Sequence, residues 1–139
     1  MPERPLIVVD AANVIGTRPD GWWHDRAGAT RRLLTALARG FRDQGDVVLI
    51  LEGAARAGAD AGVADSVRVV HAPDVGDNEI VRVVAAATRA EDGRPVIVVT
   101  ADRALRERVR VLGAATVGPH WLWARLTPAP GRDRPPTRQ

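Results

Sequence analysis

Residues 6–13, with the sequence LIVVDAAN, place four apolar residues directly before a polar turn. Three of the four are β-branched, and an uninterrupted run of this kind is typical of a strand buried on both faces of a sheet. The run ends abruptly at Asp10. We therefore predict a central parallel strand at residues 6–9, with Asp10 at its carboxyl end.

The same alternation of apolar strand and amphipathic helix continues along the chain. We predict further strands at residues 47–51, 67–70, 95–100 and 114–117, and helices at residues 26–43, 77–90 and 102–112. The Ala/Gly-rich stretch between the second and third strands predicts a loop or a short helix, and the third strand is a candidate for the sheet edge. The predicted fold class is α/β: a three-layer α/β/α sandwich with a mostly parallel five-stranded sheet and the first strand between the second and the fourth.

The length of 139 residues suits one domain with a core and is short for two. We predict one domain over residues 1–126 and a disordered, Pro- and Arg-rich tail over residues 127–139. No apolar run approaches ~20 residues, and residues 1–10 lack the pattern of a signal peptide. We therefore expect a cytoplasmic location.

Composition excludes several kinds of chemistry. The sequence has no Cys, no Lys and no Tyr, and its single Ser is Ser66. These absences exclude thiolate metal sites, cysteine nucleophiles, a P-loop lysine, Schiff bases and a nucleophile-elbow serine. Carboxylates, three His and 20 Arg remain, and the net charge of +3 is only a weak indication of nucleic-acid binding.

Four acidic residues follow predicted strands or begin the next helix. Asp10 ends the first strand, Glu52 follows the second, Asp77 opens the helix after the third, and Asp102 follows the fourth. Ligands of open parallel sheets bind beyond the carboxyl ends of the strands. We therefore expect the four carboxylates to gather at one edge of the sheet.

Such a cluster would repel itself and raise the pKa values of its members unless a cation were bound. Oxygen ligands without Cys or His select a hard cation, Mg²⁺ or Mn²⁺. An ion of this kind can activate a water and neutralise charge on a phosphodiester. We expect metal-assisted phosphodiester hydrolysis, with Asp10, Asp77 and Asp102 as catalytic metal ligands and Glu52 as a further ligand.

Each acid also has a purely structural interpretation. Asp77, which Glu79 follows in the sequence, and Asp102 have the pattern of helix N-caps, and Asp10 could stabilise a turn through Asn13. The two interpretations are compatible, because a capping carboxylate can still turn one oxygen towards a metal.

Three segments carry a resemblance to a known superfamily. Residues 7–16 (IVVDAANVIG), 76–81 (GDNEIV) and 98–103 (VVTADR), in that order, look like the PIN-like superfamily, and within it like the bacterial NYN group that includes the YacP-like proteins. The similarity covers residues 6–126. It implies a three-layer α/β/α nuclease fold that hydrolyses RNA with Mg²⁺ or Mn²⁺ held by acids at the strand ends.

The resemblance also implies roles for individual residues. By position, Asp10 matches the first-strand acid of the family, Asp77 the helix acid and Asp102 the acid of the T/S-x-D segment. Asn13 and Thr100 match the polar residues beside them and are expected to support the site.

Two positions depart from the family pattern. Glu52 stands where the NYN pattern commonly has Asp, and Asn78, beside Glu79, stands where a second Asp is frequent. Asn78 and Glu79 are kept as supporting polar residues. The departures leave a second function open, an RNA- or ribosome-binding module with a degenerate site; a toxin ribonuclease of a toxin–antitoxin pair is a third.

The segment after the first acidic motif contains two adjacent tryptophans. Trp22 and Trp23 could stack on unpaired bases while Arg18 and Arg26 bind phosphates, although one or both rings could simply cover the sheet. The partners expected are RNA, free or on the ribosome, and no membrane. A homodimer is left open by the sequence.

Overall fold

A computed structural model describes residues 4–18, 21–64, 66–90 and 93–126. Its centre is a six-stranded sheet in the order β3-β4-β2-β1-β5-β6. The strands are β1 Leu6–Asp10, β2 Asp46–Leu51, β3 Gly62–Ala64, β4 Val67–His71, β5 Val96–Val99 and β6 Ala115–Val117. All neighbours pair in parallel except β3 and β4, which are antiparallel. The first strand was predicted to lie between the second and the fourth; these are β2 and β5 in the structure, and the predicted position is confirmed.

Helices cover both faces of the sheet. They are α1 Ala11–Ile15, α2 Arg26–Gly40, α3 Gly76–Arg89, α4 Arg103–Val111 and α5 Pro119–Leu126, with 3-10 turns at Trp22–His24 and Gly53–Gly58. The core between α1, α2, α5 and the sheet is separate from the core between α3, α4 and the sheet. The three-layer α/β/α prediction is therefore confirmed.

Strand β1 illustrates why the apolar runs become central strands. Ile7 and Val9 pack into the α2 side of the core, and Val8 packs into the α3 side. Successive side chains of a strand point to opposite faces, so a strand that is covered on both faces needs an apolar residue at every position. All three side chains are at most 1% exposed.

The predicted count of five strands is wrong by one. The additional strand, β3, lies at the sheet edge and shields β4, the strand that we considered for that edge. Val63 of β3 is 78% exposed, so the strand has none of the alternation of buried and exposed residues that would mark it in the sequence. Helix α5 was likewise not predicted.

Two further predictions concern the C-terminal tail and the absence of a membrane span. The tail at residues 127–139 lies outside the described residues. Within the part of the chain that is described, no helix combines the length and apolar character needed to cross a membrane.

Candidate active site

Asp10 lies at the carboxyl end of the central strand, where the chain turns into α1. Its side chain is only 6% exposed. One oxygen, Oδ2, accepts a hydrogen bond of 3.0 Å from the Thr100 hydroxyl, and Oδ1 accepts one of 3.4 Å from the Asn13 backbone N–H. The second bond makes Asp10 the N-cap of α1, whereas the sequence predicted only a turn stabilised through Asn13.

Thr100 links the ends of two strands. Its fully buried hydroxyl donates to Asp10 and accepts a 3.1 Å hydrogen bond from the Asp102 N–H. Asn13 makes a second link, because its Oδ1 accepts a 2.8 Å hydrogen bond from the Ala101 N–H. The ends of β1 and β5 are thus held together by the two polar residues that sequence analysis placed beside the acids.

Asp102 begins helix α4. Its Oδ1 accepts a 3.0 Å hydrogen bond from the Leu105 N–H, which confirms the predicted N-cap. An N-cap uses one oxygen of the carboxylate, and each carboxylate oxygen can accept more than one bond. Capping therefore leaves Asp102 able to contact a cation.

Glu52, and not Asp77, satisfies the amino end of α3. The Glu52 Oε1 atom accepts a 2.7 Å hydrogen bond from the Gly76 N–H. A side chain at position 76 would displace this oxygen, so glycine allows the close approach without a shift of Glu52. The prediction that Asp77 is an N-cap is wrong: Asp77 lies in the first helical turn, and its carboxylate makes no hydrogen bond to the described residues.

The four acids interact electrostatically. Burial, together with repulsion from Asp77 and Glu52, raises the pKa of Asp10 from 3.8 to about 6, against the lowering effect of its two hydrogen bonds. Burial is also the main cause that raises the pKa of Asp77, followed by repulsion from Asp102 and Glu52. The acidic edge, as we call Asp10, Glu52, Asp77 and Asp102, therefore carries unfavourable negative charge at neutral pH.

The acidic edge fits a divalent cation in its donor chemistry. It offers only oxygen ligands and a local excess of negative charge, which suits Mg²⁺ or Mn²⁺. As the side chains stand, no three Asp, Glu or His residues among those described are arranged to hold one ion. Part of the reason is that three of the four acids accept hydrogen bonds from backbone N–H groups, which direct their oxygens towards helix ends.

The other two supporting residues contact different partners. Asn78 accepts a hydrogen bond from Arg108 and donates one to Asp74. Glu79 pairs with Arg82 at 2.7 Å. Neither side chain joins the hydrogen-bond network around Asp10.

The tryptophan segment lies beside the acidic edge. Trp22 is partly buried and packs against the α2 side of the core, as the structural interpretation expected, whereas Trp23 is 55% exposed. The Arg26 guanidinium lies 5.4 Å from the centre of the Trp22 ring. Arg18 contacts neither ring and instead lies 4.0 Å over Trp123 of α5.

A cavity of about 230 Å³ connects this segment to the acids. Its lining includes Ala12, Trp22, Arg26, Glu52 and Gly53. Ala12 follows the Asp10 cap and Gly53 follows Glu52, so small residues leave space at both strand ends. The structure thus brings two of the four predicted RNA-binding residues next to one of the predicted metal ligands.

Three residues near the site were missed from the sequence. Arg106 donates a 2.8 Å hydrogen bond to the Thr100 carbonyl, and Arg108 lowers the pKa of the neighbouring Asp77. Trp123 covers the far side of α1, with its indole N–H directed at Thr17. For the two arginines the available signal was the spacing of Arg along α4, which is equally typical of a solvated helix face.

Comparison with known proteins identifies the fold. No protein-family model and no curated protein sequence matches the chain. The crystal structure of Rae1 (YacP) from Bacillus subtilis superposes with a TM-score of 0.71 at 17% identity, covering 87% of this chain and 72% of that one. The fold is YacP-like.

A second Rae1 structure, of the W164L mutant, gives the same result. The TM-score is 0.72 at 17% identity, over 88% of this chain and 74% of Rae1. This likeness supports the YacP-like part of the sequence resemblance at the level of fold. It gives no support to a homodimer.

Proposed function

We propose that the protein is a Mg²⁺- or Mn²⁺-dependent ribonuclease that hydrolyses RNA at the acidic edge. The observation that carries the proposal is Asp10, a buried carboxylate whose pKa is raised to about 6 by burial and by two neighbouring acids. Burying a carboxylate among other acids costs free energy that a bound cation would offset, so a cation is the simplest reason to keep Asp10 there.

Each residue has a defined task in this proposal. Asp10, Glu52, Asp77 and Asp102 would hold the ion, which would supply an activated water and neutralise charge on the phosphodiester. Thr100 fixes the Asp10 carboxylate through its 3.0 Å hydrogen bond.

The residues around the ion site would position the substrate. Asn13 fixes the loop that leads to Asp102. Trp22 and Arg26, which line the adjoining cavity, would bind the RNA strand next to the acids. The YacP-like fold agrees with this proposal. Separately, the sequence resemblance to the NYN group implies RNA as the substrate.

An RNA- or ribosome-binding module is the second candidate. It is favoured by one observation, that hydrogen bonds to helix ends engage Asp10, Glu52 and Asp102 while, in the described part of the chain, no three acids converge on one point. In this case the acids would serve the fold alone, and RNA would bind without being cut.

The test is cleavage of an end-labelled, unstructured RNA with Mg²⁺, with Mn²⁺ or with EDTA. The nuclease requires cleavage with either metal, none with EDTA, and a loss of at least about 100-fold for Asp10→Asn. Asp43→Asn is the matched control, because Asp43 is exposed and precedes β2, at the amino ends of the parallel strands and away from the acidic edge.

Two results would overturn the nuclease. RNA that binds but is never cut in a metal-dependent way would leave the binding module. Cleavage by Asp10→Asn at the rate of the Asp43→Asn control would remove the acidic edge from the reaction.

A further inference from the structure

The cavity beside Glu52 continues into a larger one on the α2 face. This second cavity, of about 480 Å³, is lined by Arg18, Arg32 and Trp123 among others. Ile15 lines both cavities, so they meet at that side chain. The two cavities therefore lie side by side, one next to Glu52 and the other beside Trp123 of α5.

A third cavity extends the same path along α2. It has a volume of about 370 Å³, shares Arg32 and Ala36 with the second cavity, and adds Arg31 and Arg39. Arg32 and Arg39 lie two helical turns apart and therefore on one face of α2. We call these three neighbouring cavities the α2 groove; it begins at Glu52 and ends at Arg39.

Two Arg–Trp pairs line the groove. Arg18 lies 4.0 Å over the Trp123 ring, whose indole N–H is held by the Thr17 hydroxyl at 3.1 Å. Arg26 lies 5.4 Å from the Trp22 ring. A guanidinium plane that rests on an indole still has an outer face on which a nucleobase can stack. The Arg18–Trp123 pair, which has the closer contact, is thus a candidate platform for one base, and the Arg26–Trp22 pair is a candidate for a second.

The charge of the groove suits a polyanion. Among the described residues that line it there are five arginines and one acid, Glu52, which lies at the end next to the acidic edge. Positive charge along a groove and flat stacking surfaces together are the features of proteins that bind single-stranded nucleic acid. A duplex hides its bases inside the stack, so it could use the charges but not the platforms.

We propose that the α2 groove binds an unpaired RNA strand and leads it to the acidic edge. Two bases stack on the pairs Arg18–Trp123 and Arg26–Trp22, and the phosphates beyond them contact the arginines of α2. The inference rests on the proposed function in one respect, that the strand in the groove is the substrate of the acidic edge.

The test is the affinity for a fluorescent oligouridine of about 12 nucleotides, measured in EDTA so that no cleavage occurs. The double variant Arg32→Ala/Arg39→Ala should bind about tenfold more weakly at low salt. The slope of log affinity against log salt should become shallower by about 1.4, because two phosphate contacts are lost.

Arg68→Ala/Arg89→Ala is the matched control. Arg68 of β4 and Arg89 of α3 are exposed and lie away from the α2 groove. This variant removes the same charge and should retain affinity within about twofold.

Trp123 separates stacking from charge. Trp123→Leu should weaken binding about tenfold without changing the salt slope, and Trp123→Phe, which keeps a ring, should recover most of the affinity. Because Trp123 is partly buried, circular dichroism of both variants establishes that they fold. The arginine variants test the groove independently, since their side chains are exposed.

The groove assignment fails if the two double variants bind oligouridine equally, or if an RNA duplex of the same length binds as tightly as the single strand. A parallel cleavage assay with Mn²⁺ separates this failure from failure of the nuclease. Cleavage with unaltered binding by Arg32→Ala/Arg39→Ala would reject the groove alone. Weakened binding by that variant without any wild-type cleavage would reject the nuclease and leave the groove.

Discussion

Asp46 and Asp10 lie at opposite ends of the parallel strands, and their pKa values are shifted in opposite directions. Asp46 begins β2 at the amino edge, where Arg94 contacts it at 2.7 Å and Arg4 at 3.3 Å. The hydrogen bond from Arg94 is the main cause that lowers the pKa of Asp46. Asp10 ends β1 at the carboxyl edge, where its charged neighbours are acids and its pKa is raised.

The proposed function accounts for this difference, because only the acidic edge would then bind a cation. At the amino edge, fixed arginines neutralise the carboxylate and tie the starts of neighbouring strands together. At the acidic edge, Arg108 lowers the pKa of Asp77, but burial and two neighbouring acids outweigh it. A mobile cation would complete at the acidic edge what Arg94 does for Asp46.

The largest expected effect is on turnover. Asp77→Asn should reduce metal-dependent RNA cleavage by at least about 100-fold, because it removes a metal ligand and the charge that attracts the ion. Asp46→Asn, at the other edge, should keep the wild-type rate. Single-turnover cleavage of a labelled RNA measures both. Equal rates for the two variants would mean that the edges do not differ in function.

Stability should depend on pH with opposite signs at the two edges. Asp10 has a higher pKa in the folded state, so its proton stabilises the fold fully below pH 3.8, and this stabilisation is lost as the pH rises through about 6. Above that pH, in EDTA, Asp10→Asn should exceed the wild type in free energy of unfolding by up to about 3 kcal/mol.

Asp46 has a lowered pKa, so its stabilisation is present above its ordinary pKa of 3.8 and is lost as the pH falls through the lower folded value. Asp46→Asn should therefore be less stable than the wild type at neutral pH and equal to it in acid. Urea unfolding between about pH 3 and 8 measures both differences. Differences of the same sign for the two variants would contradict the contrast between the edges.

The smallest of these effects concerns the hydroxyl that joins two acids. Thr100→Val should lower the free energy of unfolding by about 1–3 kcal/mol, because Asp10 and the Asp102 N–H each lose a buried partner. Thr30→Val is the control, since the buried Thr30 hydroxyl has no hydrogen-bond partner among the described residues and its removal should be neutral or stabilising. Urea denaturation measures both variants. If Thr100→Val loses no more stability than Thr30→Val, the Thr100 hydroxyl does not stabilise the fold by joining Asp10 to Asp102.

Much of the architecture could be predicted because it depends on local patterns. Apolar runs such as that of β1 mark strands covered on both faces, and the order of the central strands follows from short right-handed crossovers. Strand β3 could not be predicted, because Val63 is exposed and the strand forms only by pairing with β4. The pairing of β3 with β4 depends on tertiary structure, and it leaves no periodic pattern in the local sequence.

The candidate site was predictable in part for the same reason. Strand ends are visible in the sequence, so Asp10, Thr100 and Asp102 could be placed together. Which helix end each carboxylate satisfies was not visible: Glu52 reaches across to the N–H of Gly76, 24 residues away, and takes the place assumed for Asp77. Contacts of this range depend on the packing of α3 against β2.

The most direct test of a cation at the acidic edge is thermal melting with and without Mn²⁺. At about a hundred times its Kd, Mn²⁺ should raise the Tm of the wild type and of Asp46→Asn by about 10 °C. It should leave Asp77→Asn nearly unchanged, while in EDTA that variant melts no lower than the wild type, because burial and repulsion from Asp102 and Glu52 outweigh the attraction of Arg108. A wild-type Tm that ignores Mn²⁺, or an equal rise in all three proteins, would contradict the account.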